Sequence, residues 1–325
     1  MRVGLIGESN GVHERRFISA FRERGHLCDF VLIDKLNGSY PEPDIYFGGP
    51  LHLGSSYHRN LGSVPYVAAS YAYDILWLAE RSLAAKKAVA DALDASCGML
   101  ADCEKVKDYA ERIYSYPHPI LVRPWGLERP LPSDELPPKT PEGLPGPCLT
   151  VISARNFTPL HSVPDVIRGF GLAIAKGANL RMVVAGDGDL RTEIAGLIDG
   201  LDLNDRIDLI GTVTEQQLLG LFETSDIYVS ASLVDGTSIS LLQAMSAGLP
   251  VVLSDVGGNN EWAGRIEGAR LFKAGDIEQI ATHLSELAAN CVRMRFDRSD
   301  TLEKLCNWNR NADDIVDFCS SLVAV

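Results

Sequence analysis

Residues 230–262 read SASLVDGTSISLLQAMSAGLPVVLSDVGGNNEW, and this one run holds a strand end, a polar turn, a helix and a second strand. The chain leaves a strand expected over Asp226–Ser230 and turns at Asp235 and Gly236. Thr237 and Ser238 are residues of the kind that cap a helix, which should run to about Ala247 before the next strand over Pro250–Ser254. Strands that are apolar throughout, joined by a helix, are the signature of a parallel sheet covered on both faces.

Working outward, the same alternation fills the chain. Strands are expected near Leu149–Ser153, Arg181–Ala185 and Ile207–Ile210 upstream of this run. Earlier still they fall near Val3–Ile6, Asp29–Ile33, Asp44–Phe47, Pro65–Ala69, Gly98–Ala101 and Ile120–Arg123. Between the two sets, residues 129–147 (RPLPSDELPPKTPEGLPGP) hold seven prolines, which suits an extended linker and neither a helix nor a central strand. The expected organisation is an α/β fold with two Rossmann-like, doubly wound domains, residues 1–130 and 148–298, joined by a linker at 131–147. A helical tail over 299–325 is long enough to pack back across both. Ligands of open α/β sheets bind beyond the carboxyl ends of the strands, so two such domains are expected to face each other across a cleft.

Composition narrows the class. Of 325 residues, 46% are hydrophobic and 22% charged, values of an ordinary globular chain. No run of about 18 apolar residues occurs, and MRVGLIGESN lacks the layout of a signal peptide, so a cytoplasmic protein is expected. Seven scattered cysteines without a CxxC pair point to reduced thiols, with no zinc or redox motif. Residues 1–129 carry 15 Lys/Arg against 16 Asp/Glu and the remainder 15 against 27, which argues against a nucleic-acid partner. Arg81, Lys86 and Lys87 allow weak peripheral contact of the N-terminal domain with the inner face of a membrane, with a solvated helix face as the alternative.

The start of the helix after Asp235 and Gly236 presents free amides and the positive end of a dipole, an anion site. Gln243 lies about 5 residues into that helix, roughly 7–8 Å along its axis. Asp235 and Gln243 are thus placed to touch the two ends of one ligand whose diphosphate sits between them.

This run resembles the donor-binding motif of retaining glycosyltransferases of family 4, which have the two-domain GT-B fold. Members typically show two glutamates separated by seven residues, then AMAxGxPVVxSxxGG. The spacing is kept here, with Asp235 first and Gln243 second. The resemblance implies that Asp235, with the amides of Gly236, Thr237 and Ser238, meets sugar hydroxyls and phosphate, and that Gln243 holds the ribose. An amide at Gln243 still donates and accepts but lacks charge assistance. Glu261, after Gly257 and Gly258, resembles a recurring acid of the family, with a helix-start acid as the alternative.

Residues 151–170 (VISARNFTPLHSVPDVIRGF) resemble the family's strand, arginine, loop and helix. Arg155 leaves the strand end, where a guanidinium grips a diphosphate and stabilises the leaving group; a surface ion pair is the alternative. The usual lysine about five residues on is missing. Leu160 stands there, and His161 is the candidate second donor, or else a local loop cap. Residues 183–194 (VVAGDGDLRTEI) resemble a strand and glycine turn that sets Gly186 along the cleft; Asp189 reads as the cap of the next helix, and no metal is expected.

PDIYFGGPLHLGSSY, VPYVAASYAYDILW and ILVRPWGLE, from residues 43, 64 and 120, follow the family's N-domain order. Gly7 opens a turn that permits close approach of a phosphate or acceptor, or is an ordinary strand–helix turn. Tyr71 stands where many members carry histidine. Asp74 fits the following acid and is a candidate to orient an acceptor hydroxyl, unless buried or capping, and His52 is a further candidate. The N-terminal domain is short for the family, which leaves room for a small or lipid-linked acceptor.

The resemblance implies transfer of a sugar from a nucleotide-diphosphate sugar to an acceptor hydroxyl with retention and no cofactor. Arg155, Asp235 and Asp74 are then the catalytic candidates, and Gly7, His161, Gly186, Gly236, Thr237, Ser238, Gln243 and Glu261 the donor-binding ones. A binding protein that has lost transfer and a nucleotide-sugar epimerase remain as alternatives. Neither domain opens with the GxGxxG of a nicotinamide enzyme.

Overall fold

A computed structural model describes residues 1–32, 42–128, 148–265, 269–290 and 306–323. The proline-rich segment 131–147 and the first part of the tail, 299–305, lie outside the described residues. The chain divides into two units, Met1–Arg129 with Asp300–Val325, and Pro130–Ser299.

In the first unit the chain runs through β1 (Arg2–Gly7), α1 (Val12–Glu23), β2 (Leu27–Leu32), β3 (Ile45–Gly48), α2 (Gly54–Asn60) and β4 (Tyr66–Ala69). It continues through α3 (Ala79–Arg81), α4 (Leu83–Asp94), β5 (Gly98–Ala101), α5 (Glu104–Ile113) and β6 (Ile120–Val122). The six strands lie in the order β2-β1-β3-β4-β5-β6, every pair parallel. β4 (YVAA) and β5 (GMLA) are buried at every residue, as strands covered by helices on both faces must be.

The terminal helix Trp308–Val323 completes this unit. Its Asp313 and Asp314 accept from Arg24 and Arg123, each at 2.7 Å, and Asn311 Nδ2 donates to Pro124 O at 2.9 Å. Trp308 meets Phe17 edge-on and lies under the Arg16 guanidinium. The described part of the tail falls within the first unit.

The second unit holds β7 (Leu149–Ala154), α6 (Val163–Ala175), β8 (Leu180–Ala185), α7 (Arg191–Gly200), β9 (Ile207–Gly211) and α8 (Glu215–Thr224). It then forms β10 (Ile227–Ser230), α9 (Ile239–Ser246), β11 (Val251–Ser254), α10 (Gly257–Ala263), β12 (Arg270–Phe272) and α11 (Ile277–Asn290). Its all-parallel sheet has the order β12-β11-β10-β7-β8-β9. β12 is an edge strand that the apolar pattern does not announce, since only Phe272 of its three residues is buried. On the helical face, Val163, Val166, Ile167, Phe170 and Ala173 of α6 form an apolar stripe at helical spacing against Ile280, Ala281 and Leu284 of α11. A Cβ at Gly169 would fall 2.5 Å from Ile280 Cγ2, so the missing side chain lets these helices approach.

Strand order, not direction, reverses at β7 and β10: from the middle of the sheet, β8 and β9 build outward to one edge and β11 and β12 to the other. That pair is the switch point at which such sheets open a crevice beyond their carboxyl ends.

Candidate functional site

Arg155 follows the last residue of β7, and Asp235 lies five residues beyond the end of β10, so both stand at the switch point of the second sheet. Arg155 Nη2 donates to Asp235 Oδ2 at 2.7 Å, with the two side chains 9% and 13% exposed. Its Nη1 donates to Ser238 Oγ and, at 3.4 Å, to Ser240 Oγ. Arg155 Nε is buried and has no partner among the described residues. A buried N–H without an acceptor is costly, and it marks the place where the arrangement is incomplete.

Ser238 caps α9, accepting from Leu241 N, as the hydroxyl pattern leads one to expect. Ser240 Oγ lies 2.9 Å from both Ser238 Oγ and the Tyr228 hydroxyl, a group seated in β10. Thr237 does not cap; its Oγ1 accepts from Trp262 Nε1 at 3.0 Å.

The loop between β10 and α9 is pinned from several sides. Leu233 N donates to Leu160 O at 2.7 Å, Ser254 Oγ to Ser232 O at 2.6 Å, and Gly258 N to Asp235 O at 3.1 Å. A Cβ on Gly257 would sit 1.8 Å from Asp235 O, at a φ of +43°, so this glycine lets the loop close on α10. Gly186, at φ +145°, is needed for the same kind of reason: a Cβ there would lie 2.0 Å from Arg155 O.

Burial pushes the Asp235 carboxyl above the usual carboxylate pKa, while Arg155, the Ser232 hydroxyl and the Gly236 amide pull it back. Gln243 is 5% exposed, and its side-chain amide makes no hydrogen bond among the described residues. It lies three residues beyond Ser240 on α9, hence on the same face as the group that touches Arg155. Glu261 occupies the second turn of α10, so it is not the helix-start acid of the alternative reading.

Several expectations need correction. His161 is tied down: its Nδ1 lies 2.9 Å from Asn156 O and 3.0 Å from Thr158 Oγ1. A ring nitrogen facing a carbonyl carries its proton there, which leaves Nε2 as an acceptor and not the expected second donor. Burial, with the Arg155 charge beside it, lowers its pKa to about 4, so the ring is neutral at physiological pH. Asp189 is not a cap either. The N-cap of α7 is Leu190, without a side-chain bond, while Asp187 takes Gly188 N at 2.8 Å and lies 3.6 Å from Arg191.

In the first unit Asp74 is fully buried and accepts from Ser70 Oγ (2.7 Å), Ile75 N (2.8 Å), Leu51 N (2.9 Å) and Tyr71 N (3.3 Å). Burial raises its pKa against the pull of these donors. Its oxygens are consumed in pinning the loop after β4, so it is structural and cannot orient an acceptor. At Gly7 the missing side chain makes room for Glu14 and Phe30, whose Cγ and Cε2 would each lie 3.2 Å from a Cβ there. Glu14, 9% exposed, accepts from the Tyr71 hydroxyl at 2.9 Å. This carboxylate escapes a reading of the sequence, where it looks like a solvated first-turn acid of α1. His52 does reach a cluster at the carboxyl end of the first sheet, 3.6 Å from Glu8 and 3.4 Å from the Tyr73 hydroxyl. Arg81 lies over the Trp77 ring at 3.2 Å and Lys87 pairs with Asp91 at 2.8 Å. Among the described residues no helix is long and apolar enough to cross a membrane.

Residues 140–299 match the family model described as glycosyl transferases group 1. An uncharacterised glycosyltransferase of Methanocaldococcus jannaschii is 36% identical over 80 residues, 25% of this chain and 20% of that protein. The chain thus matches about a fifth of that curated relative's length. Among solved structures, sucrose-phosphate synthase from Thermosynechococcus elongatus superposes with TM-score 0.81 at 15% identity, covering 100% of this chain and 99% of that one. HepE of Anabaena, in complex with UDP-glucose, gives TM-score 0.70 at 15% identity, with coverages of 100% and 96%. At these identities the structures show the fold, which is that of the GT-B glycosyltransferases.

Proposed function

We propose, from the match of residues 140–299 to the family model of the group 1 glycosyl transferases, that the protein transfers a sugar from a nucleotide-diphosphate sugar to an acceptor hydroxyl, with retention and without a metal. The observation that carries this reading is Arg155, held by Asp235 and Ser238 at the switch point beside the start of α9, with its buried Nε still lacking an acceptor. A guanidinium and a helix start converging on one place suit a diphosphate. In the reaction the bond from the anomeric carbon to the diphosphate oxygen breaks, and the acceptor oxygen bonds to that carbon on the same face. The acceptor proton passes to the departing phosphate, so no protein carboxylate need serve as base. Arg155 and the α9 amides stabilise the charge that builds on the leaving group. Gln243, on the same face of α9, takes the ribose end, and its unpaired amide is free to do so.

The fold shared with HepE, a structure holding UDP-glucose, makes UDP-glucose the first donor to try. Incubation of UDP-, GDP-, ADP- and dTDP-sugars with carbohydrate and lipid-linked acceptors in EDTA should release the nucleoside diphosphate and yield a glycoside with the donor's anomeric configuration by NMR. An inverted product, or activity that EDTA abolishes, contradicts the mechanism. A sugar nucleotide altered only at one sugar carbon points to an epimerase.

A further inference from the structure

Asp235 spends its carboxylate on the protein. It accepts from Arg155 Nη2 at 2.7 Å, from the Ser232 hydroxyl and from the Gly236 amide. A carboxylate has about four acceptor sites, so three are taken before any substrate arrives. Its main chain is equally committed, with Asp235 O bonded to Gly258 N and packed on Gly257. A residue fixed at both ends, and a methylene shorter than the glutamate of the motif it resembles, is poorly placed to follow a sugar ring.

The geometry points to Asp235 as a positioning residue and counter-ion for Arg155, which aims the guanidinium at the start of α9 and sets how tightly the nucleoside diphosphate is held after transfer. This rests on the donor-site reading above. Arg155 and Asp235 together are electrically neutral, so the diphosphate is gripped by directed N–H groups and the helix start with little net charge. Without the counter-ion, attraction between Arg155 and the diphosphate rises for product and transition state alike. Such uniform tightening holds the product back without lowering the chemical barrier.

Asp235→Asn keeps the shape and removes the charge. The test is calorimetric titration of UDP, GDP, ADP, dTDP, CDP and inorganic pyrophosphate in EDTA, with kcat and KM for the active donor and a thermal melt of each variant. Asp235→Asn should bind the nucleoside diphosphate and pyrophosphate about tenfold more tightly, a modest share of the Coulomb energy of one charge nearby, while kcat falls. Asp235→Glu, which keeps the charge, should bind the diphosphate within about threefold of wild type on the same scale. In an Arg155→Gln background, Asp235→Asn should change diphosphate affinity little. The inference is overturned if Asp235→Asn leaves diphosphate affinity unchanged and weakens only the sugar nucleotide, because the carboxylate then contacts the sugar. Weaker diphosphate binding in step with a lower melting point overturns it too, as does tightening that persists without Arg155. If wild type and all variants bind none of the probes, the donor-site reading itself fails; if wild type binds and the variants behave alike, only the inference about Asp235 does.

Discussion

His161 illustrates how one neighbour decides a side chain's chemistry. In sequence it stands one residue from the place of a missing lysine and invites the role of a spare cation. In the fold its Nδ1 proton is spent on Asn156 O, and burial beside Arg155 brings its pKa to about 4, against an ordinary 6.5. A histidine whose folded pKa is depressed binds fewer protons folded than unfolded between those values, so the stability present above pH 6.5 is lost as pH falls toward 4. Wild type should therefore lose stability in urea more steeply over that range than His161→Gln, and the imidazole should titrate by NMR near 4. A midpoint near 6.5 would show that the ring is neither buried nor repelled by Arg155 as described. Asp74 carries the opposite lesson. An acid in a motif position has all its acceptor capacity absorbed by Ser70 and three backbone amides, and it serves the fold.

At the scale of elements, the loop between β10 and α9 is shaped by contacts with three neighbours, and one of them is α10, whose Gly258 N donates to Asp235 O at 3.1 Å. Replacing Gly257 by Ala places a Cβ against Asp235 O at 1.8 Å in a left-handed conformation. The conformational strain alone is of order 1–3 kcal/mol, and relief requires the main chain at Asp235 and the start of α10 to separate. Urea unfolding should show that loss together with weaker nucleoside diphosphate binding. Gly196→Ala, in α7 with nothing within 4 Å of the added Cβ, serves as the contrast and should stabilise by about 0.5–1 kcal/mol. Equal effects of the two substitutions would mean that the α10 contact does not hold the loop. Most strands were legible as apolar runs, since a strand buried on both faces has little room for polar residues. β12 was not, because a three-residue edge strand with two half-exposed side chains makes no run. Arg155, Asp235 and Ser238 were legible through their motifs. The ion pair between the first two was not: 80 residues separate them, and only the return of β10 alongside β7 brings the two strand ends together.

At the scale of the whole molecule, the two units reach the same architecture by different strand orders, β2-β1-β3-β4-β5-β6 in one and β12-β11-β10-β7-β8-β9 in the other. Each therefore has its own switch point, and polar residues gather at both. Glu8, His52 and Tyr73 meet in the first, and Arg155, Asp235 and Ser238 in the second. The terminal helix groups with the first unit; the sequence sets it apart as a separate tail, because an amphipathic pattern names a buried face and not its partner. The account's central claim is that the second switch point holds a nucleoside diphosphate through Arg155. Calorimetric titration of UDP, GDP, dTDP, ADP and CDP into wild type and Arg155→Ala in EDTA tests it most directly. The account predicts that at least one diphosphate binds wild type and that the variant loses about 10- to 100-fold in affinity, the worth of charge-assisted hydrogen bonds. Binding of equal strength to both proteins, or binding to neither, would contradict it.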